Sequence, residues 1–193
     1  MIKVAITGNI GSGKSTACQV FETLGIPIFY GDQEAKNLYQ DPGVILLVKQ
    51  AFGEEFFDLK NQLIKSKLAS LIFQDSKALQ MINEIIHPRL MQRYSSWSGQ
   101  YAGHSYTLLE AAVIFENGLQ GYFDKIINVS APIELRIKRI MKRDKLSRRQ
   151  IENRISKQWP DEKKNKLADF IILSDNKRFM IPQVIKIHKT LIQ

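Results

Sequence analysis

Residues 8–15, Gly-Asn-Ile-Gly-Ser-Gly-Lys-Ser, satisfy the pattern G-x-x-x-x-G-K-[ST] in full, and no other stretch of the chain restricts the fold as tightly. The pattern has meaning only between a strand that ends and a helix that begins. Both neighbours have that character: "KVAIT" (3–7) reads as a short strand and residues 14–24 as a helix. The glycines let successive N–H groups turn inward as a nest for phosphate, and the helix N-terminus adds its dipole. Lys14 is placed to reach the β- and γ-phosphates, and the Ser15 hydroxyl to ligate Mg2+. The expected nucleotide cradle is Gly8, Asn9, Ile10, Gly11, Ser12, Gly13, Lys14, Ser15 and Thr16. Such loops serve switches, motors and kinases alike, so the loop alone leaves the reaction open.

Strand and helix patterns alternate along the rest of the chain. "PIFY" (27–30), residues 105–115, residues 125–131 and "FIIL" (170–173) read as further strands. Residues 33–97 carry apolar residues at helical spacing, punctuated by Asp41-Pro42-Gly43 and Gly53. Pro132 opens a helix to about residue 143, a second basic helix covers roughly 147–159, and a closing helix covers 181–192. This order predicts an α/β fold of the P-loop NTPase type. Its three layers, α/β/α, would surround a five-stranded parallel sheet, with a helical substrate-binding insertion and a helical lid. The expected nucleotide-binding core is 1–32 with 98–135 and 167–193, the acceptor domain is 33–97, and the lid is 136–166.

The net charge of +9 invites a nucleic-acid reading, but its location argues for a smaller anion. Residues 136–166 hold 13 Lys/Arg and 4 Asp/Glu, a surplus of 9, which leaves 15 of each sign elsewhere. Aromatic residues that would stack bases are absent between 136 and 158. No apolar run reaches the ~18 residues of a membrane span, and Met1 leads straight into "IKVAITG" without a signal-peptide pattern. The single cysteine, Cys18, fits a reducing cytoplasm, as a buried bystander or a reactive thiol.

No N-K-x-D stretch marks a GTPase, and three features suit a small-molecule kinase. Asp32 follows the second strand, where a carboxylate accepts the proton of an attacking hydroxyl or caps the next helix. Glu110, in an apolar strand, is placed to hold Mg2+ through water. Arg136, Arg139 and Arg143 share one helix face and form a cationic arm able to close over a transferring phosphoryl group, or a solvated face.

Together these pieces resemble the dephospho-coenzyme A kinase family over about residues 2–190. The resemblance rests on "TGNIGSGKST", Asp32 with Ala35, "IHP" (86–88), "AAVIFENGL" (111–119), "RIKRIMKRD" (136–144) and "ADFIILSDN" (168–176). It implies transfer of the ATP γ-phosphoryl group to the ribose 3′-hydroxyl of dephospho-CoA, with Mg2+. Asp32 would be the base, Lys14 and Arg139 would act catalytically, and Arg139 and Arg143 would face the phosphates. Ser174 and Asp175 would lie beside adenine. His87 matches a family motif, as a substrate contact or a packed residue, and Glu116 would anchor the acceptor or cap a helix. The chain departs from the family at Tyr30, where a first Asp is usual, and at Ala112, where proline is usual. Ser174 and Asn176 stand for Asn and Gly, and Glu110 for Asp.

The implied partners are ATP and dephospho-CoA, with neither nucleic acid nor membrane, in the cytoplasm, as a monomer with homo-oligomers left open. A nucleoside-monophosphate kinase shares loop and lid but needs arginines beside its acceptor. Residues 33–97 contain only Arg89 and Arg93. A nucleotide-dependent nucleic-acid binder is the remaining alternative.

Overall fold

Short runs rich in aliphatic residues form the strands: β1 (Ile2–Thr7), β2 (Ile28–Tyr30), β3 (Tyr106–Glu110), β4 (Lys125–Ser130) and β5 (Phe170–Leu173). In the computed structural model, which describes residues 1–193, they pair as one all-parallel sheet in the order β2-β3-β1-β4-β5. Parallel neighbours need crossovers, and the helices supply them. These are α1 (Lys14–Thr23), α2 (Gly31–Leu38), α3 (Pro42–Phe52), α4 (Lys65–Gln74), α5 (Ser76–Gly99), α6 (Ile133–Asp144), α7 (Arg148–Ile155), α8 (Asp161–Leu167) and α9 (Met180–Leu191). The chain divides into two compact units, Met1–Tyr30 with Ser98–Gln193, and Gly31–Trp97.

In the first unit, α1 and α9 cover one face of the sheet. Val4, Ile6, Leu108, Ile127 and Val129 meet Cys18 and Phe21 of α1 and Val184 and Ile187 of α9. Phe21 stands edge-on to Tyr106, with ring centroids 6.4 Å apart. Ala5, Leu109 and Ile126 point to the opposite face and are also buried. There α8 lies against β4, and Asn128 donates to Asn165 Oδ1 at 2.7 Å. Burial on both faces is why these strands read as continuous apolar runs. Burial, aided by Glu110, pushes the Cys18 thiol up to about 12, so it is an inert core residue rather than a reactive thiol.

Three boundaries differ from the sequence expectation. The strand expected over 105–115 stops at Glu110, because the Ala112 carbonyl is taken by side chains, Thr7 Oγ1 at 3.2 Å and Lys164 Nζ at 2.9 Å. The basic helix expected over 147–159 ends at Ile155, and Pro160 begins a separate helix, α8. The helical run expected from residue 33 starts at Gly31, which places Asp32 inside the first turn of α2 rather than at its N-cap.

The second unit is helical, apart from an isolated antiparallel bridge between Phe57 and Leu63. Ala78, Ile82, Ile86, Leu90 and Tyr94 recur every four residues along α5 as a buried stripe. Pro88 does not break this helix. Proline removes the one N–H that would bond the Glu84 carbonyl, and one turn before Arg89 the Ile85 carbonyl also accepts from Arg89 Nη1 at 3.1 Å. Beside it, burial holds the half-buried His87 imidazole below its usual pKa.

Asp41 caps α3, accepting from the Gly43 and Val44 amides at 2.9 and 3.3 Å, and its Oδ2 accepts from Arg93 at 3.3 Å. The Val44 amide above all, then Gly43 and Arg93, hold its carboxyl below the usual range. A depressed folded-state pKa contributes stability that is full above the unfolded value and lost as pH falls through the folded one. Asp41→Ala is therefore expected to lower Tm at pH 7, and the difference should vanish in acid below both values. Thermal melts of the two proteins across pH 2–7 check this.

Candidate functional site

The loop between β1 and α1 bends at Gly8, Gly11 and Gly13, with φ of +150°, +78° and +101°. A side chain is excluded at Gly11 by space as well as by angle, since its Cβ would lie 2.9 Å from the Arg136 carbonyl. The loop carbonyls face outward onto arginines of α6. Arg136 Nε donates to the Ile10 carbonyl at 3.2 Å, and Arg139 Nη1 to those of Gly11 and Ser12 at 3.3 and 3.4 Å. The amides of Gly11, Gly13, Lys14, Ser15 and Thr16 have no protein acceptor, and α1 has no side-chain cap. Free N–H groups at an open helix N-terminus form an anion cradle.

Lys14 Nζ lies 3.0 Å from Glu110 Oε1 at the end of β3, with both side chains nearly buried. The pair satisfies two charges that would otherwise be costly to bury, and it aims the lysine along the sheet edge. The Ser15 hydroxyl makes no protein hydrogen bond. No group of three or more His, Cys, Asp or Glu converges anywhere in the chain. That donor set fits Mg2+ held by a hydroxyl, phosphate oxygens and water rather than by a protein cage.

The arm arginines have separate partners. Arg136, only 3% exposed, pairs with Asp161 Oδ2 at 3.4 Å as a buried strut. Arg139 also reaches Ser174 Oγ at 3.1 Å, the Ser174 carbonyl at 3.0 Å and Asn176 Oδ1 at 2.8 Å. Arg143 is exposed and its fork grips Asp144 at 2.7 and 2.9 Å. Asp175 Oδ1 accepts from the Lys177 and Arg178 amides at 2.9 Å each, which holds its carboxyl below the usual range and fixes the turn after β5.

Glu116 Oε1 accepts from the Trp159 amide at 2.9 Å and from the fully buried Lys164 at 2.7 Å. It thus fastens the segment between α7 and α8. Tyr30, in register with Glu110, donates its hydroxyl to Glu22 of α1 at 2.8 Å. Two residues further along the chain, Asp32 is exposed and makes no hydrogen bond or ion pair. Asp32 and His87 belong to the second unit.

The structure thus brings the loop, Glu110, Arg139 and Ser174 together, while Arg143, Asp175 and Glu116 hold protein partners. Sequence reasoning missed Gln158, Asp161 and Lys164. Only the Pro160-Asp161 helix start was visible there, and "DEKKNKL" shows no apolar face to announce a buried lysine.

A family model for dephospho-CoA kinase matches residues 2–179. The dephospho-CoA kinase of Bacteroides fragilis is 36% identical over 187 residues, covering 96% of this chain and 91% of its own. TT1252 from Thermus thermophilus has a similar structure, with a TM-score of 0.87 at 29% identity, covering 100% of this chain and 98% of its own. Dephospho-CoA kinase from Campylobacter jejuni is similar in fold, with a TM-score of 0.68 at 24% identity over 98% of this chain and 96% of its own.

The two kinds of positive-φ glycine separate experimentally. Gly25, at +77°, has nothing within 4 Å of its Cβ, whereas Gly11 at +78° meets the Arg136 carbonyl. Gly25→Ala is expected to cost about 1–2 kcal/mol of stability and leave nucleotide affinity unchanged. Gly11→Ala should abolish measurable ADP binding. Calorimetric titration beside thermal melts checks both.

Proposed function

The chain belongs to the dephospho-CoA kinase family and is an ATP-dependent kinase acting on dephospho-CoA in coenzyme A synthesis; on that premise we propose how its own residues carry the reaction. The observation that carries the reading is the cradle of unpartnered amides at Gly11 and Gly13–Thr16, with Lys14 steadied beside it by Glu110. Polyphosphate fills such a cradle with its own oxygens, and Lys14 neutralises charge on the β- and γ-phosphates.

We assign the acceptor as the ribose 3′-hydroxyl and Asp32 as the group that takes its proton. The hydroxyl oxygen bonds to the γ-phosphorus as the bond from that phosphorus to the β–γ bridging oxygen breaks. ADP carries away the bridging oxygen, and the hydroxyl proton passes to Asp32. Asp32 suits this role because no cation or hydrogen bond engages its carboxylate. Ser15 and, by way of water, Glu110 would hold Mg2+, which would supply charge neutralisation on the phosphate oxygens. Arg139 sits between the loop carbonyls and Ser174 and orders the donor side, and Arg143 joins the phosphates from the arm. His87 and Glu116 belong to the acceptor side in this reading, and Ser174 and Asp175 lie beside adenine.

We assign residues 33–97, nearly all of the second unit, to receiving dephospho-CoA; within the first unit, 136–166 close over ATP and the remainder holds the nucleotide. We place the enzyme in the cytoplasm as a monomer using soluble substrates and no nucleic acid. No helix is long and apolar enough to cross a membrane.

Incubation with ATP, Mg2+ and dephospho-CoA is expected to yield coenzyme A by mass; turnover of a nucleoside monophosphate in its place would overturn the assignment. Asp32→Asn should lower kcat by roughly 10²–10⁴-fold with ATP affinity retained. Loss of ATP binding in that variant would make Asp32 a structural residue.

A further inference from the structure

Four side-chain bonds tie the apex of the phosphate loop to the two ends of the arm. Arg136, at the arm's start, donates to the Ile10 carbonyl. At its far end the Ile10 amide donates to Gln158 Oε1 at 2.9 Å. Asn9 Nδ2 donates to the Trp159 carbonyl at 3.0 Å and to Asp161 Oδ1 at 2.8 Å. Both polar groups of the Ile10 backbone are therefore held from outside the nest, whereas the amides of Gly11 and Gly13–Thr16 remain free.

The far end is itself immobilised by neighbours that are not part of the loop. The Gln158 amide donates to the Ile155 carbonyl at 3.0 Å, and the Trp159 amide donates to Glu116. Asp161 Oδ2 accepts from Ser130 Oγ at 3.2 Å and from the Ala131 amide at 3.3 Å, at the end of β4. Backbone on both sides of Gln158 is thus fixed before its side chain reaches the loop, so holding Ile10 costs the rotamer freedom of that side chain but no further ordering of backbone. Only an acceptor can meet the Ile10 N–H, and a neutral amide supplies one without adding negative charge beside bound polyphosphate.

We infer that Gln158 is a positioning residue for nucleotide binding: its side-chain carbonyl holds the Ile10 N–H outward and thereby keeps the free amides of the loop convergent on the polyphosphate. The inference rests on the loop being the nucleotide site. It also gives the arm a defined attachment, since Arg136 and Gln158 take the carbonyl and the amide of one residue. Shifts of the loop are transmitted to both ends of the arm together.

The test compares wild type with Gln158→Met, which keeps the length of the side chain but removes the acceptor, and Gln158→Glu, which keeps an acceptor. Three measurements are read: hydrogen exchange of the Ile10 amide by NMR without nucleotide, the Kd for ADP, and the KM for dephospho-CoA. In wild type the Ile10 amide should exchange slowly. Gln158→Met should raise its exchange rate and weaken ADP by about five- to tenfold, with the KM for dephospho-CoA unchanged. Gln158→Glu should restore slow exchange.

Wild-type ADP affinity in Gln158→Met, or weakened ADP binding with Ile10 still protected, overturns the inference. If Gln158→Met does not fold, an unprotected Ile10 amide in wild type or in Gln158→Glu overturns it equally. Failure of the wild-type protein itself to bind ADP overturns the nucleotide-site reading, a distinct outcome.

Discussion

The polarity of one short loop organises the first unit: the carbonyls of Ile10, Gly11 and Ser12 are bonded from outside, while the amides of Gly11 and Gly13–Thr16 stay free. A peptide cannot present both groups to an anion, and a loop of small residues has no intrinsic reason to choose. Here the choice is made by Arg136 and Arg139, which draw the carbonyls of Ile10, Gly11 and Ser12 toward α6. The glycines make the turn sterically available, and the arginines brace it from the carbonyl side.

That arrangement requires cations where the protein is nearly dry, and burying a charge is unfavourable unless a partner and further hydrogen bonds compensate. Arg136 has Asp161, and Lys164 has Glu116 together with the Ala112 carbonyl. Burial pulls the Lys164 ammonium below its usual pKa against the opposing pull of Glu116. Both pairs act on α8, just after the Trp159-Pro160 break, and hold it to α6 and to the segment that follows β3. Part of the surplus positive charge in residues 136–166 is consequently internal structure, and only the exposed remainder, such as Arg143 and Arg149, faces solvent.

What could be read from the chain follows from how local each cause is. The loop, the alternation of strands with helices and the charge of Glu110 within an apolar run rest on contiguous patterns, whereas the order of the strands in the sheet does not. The expected end of β3 lies too late because "EAAVIF" continues the apolar run, whereas the Ala112 carbonyl is bonded by the side chains of Thr7 and Lys164 rather than by a strand. Pro88 reads as a breaker, yet α5 continues through it, held by a stripe of buried residues that runs from Ala78 to Tyr94. The roles of Gln158 and Asp161 depend on residues about 150 positions away, for which no periodicity speaks. Asp32 is the intermediate case: its place after β2 was legible, and its position within the first turn of α2 was not.

The departures from the family pattern after β5 share one physical basis. A turn that usually carries glycine must still be formed by Asn176, which adopts φ +62°. Asparagine is among the few side chains that accept this region at modest cost. Its carbonyl then accepts from Arg139, a bond no glycine could offer, and Ser174 adds both its hydroxyl and its backbone oxygen to the same guanidinium. Backbone freedom is thereby exchanged for acceptors on Arg139. Because Arg139 also holds the Gly11 and Ser12 carbonyls, the turn expected beside adenine and the loop around the phosphates are joined through one side chain. A change at position 174 or 176 therefore acts on the phosphate loop as well as on the turn itself.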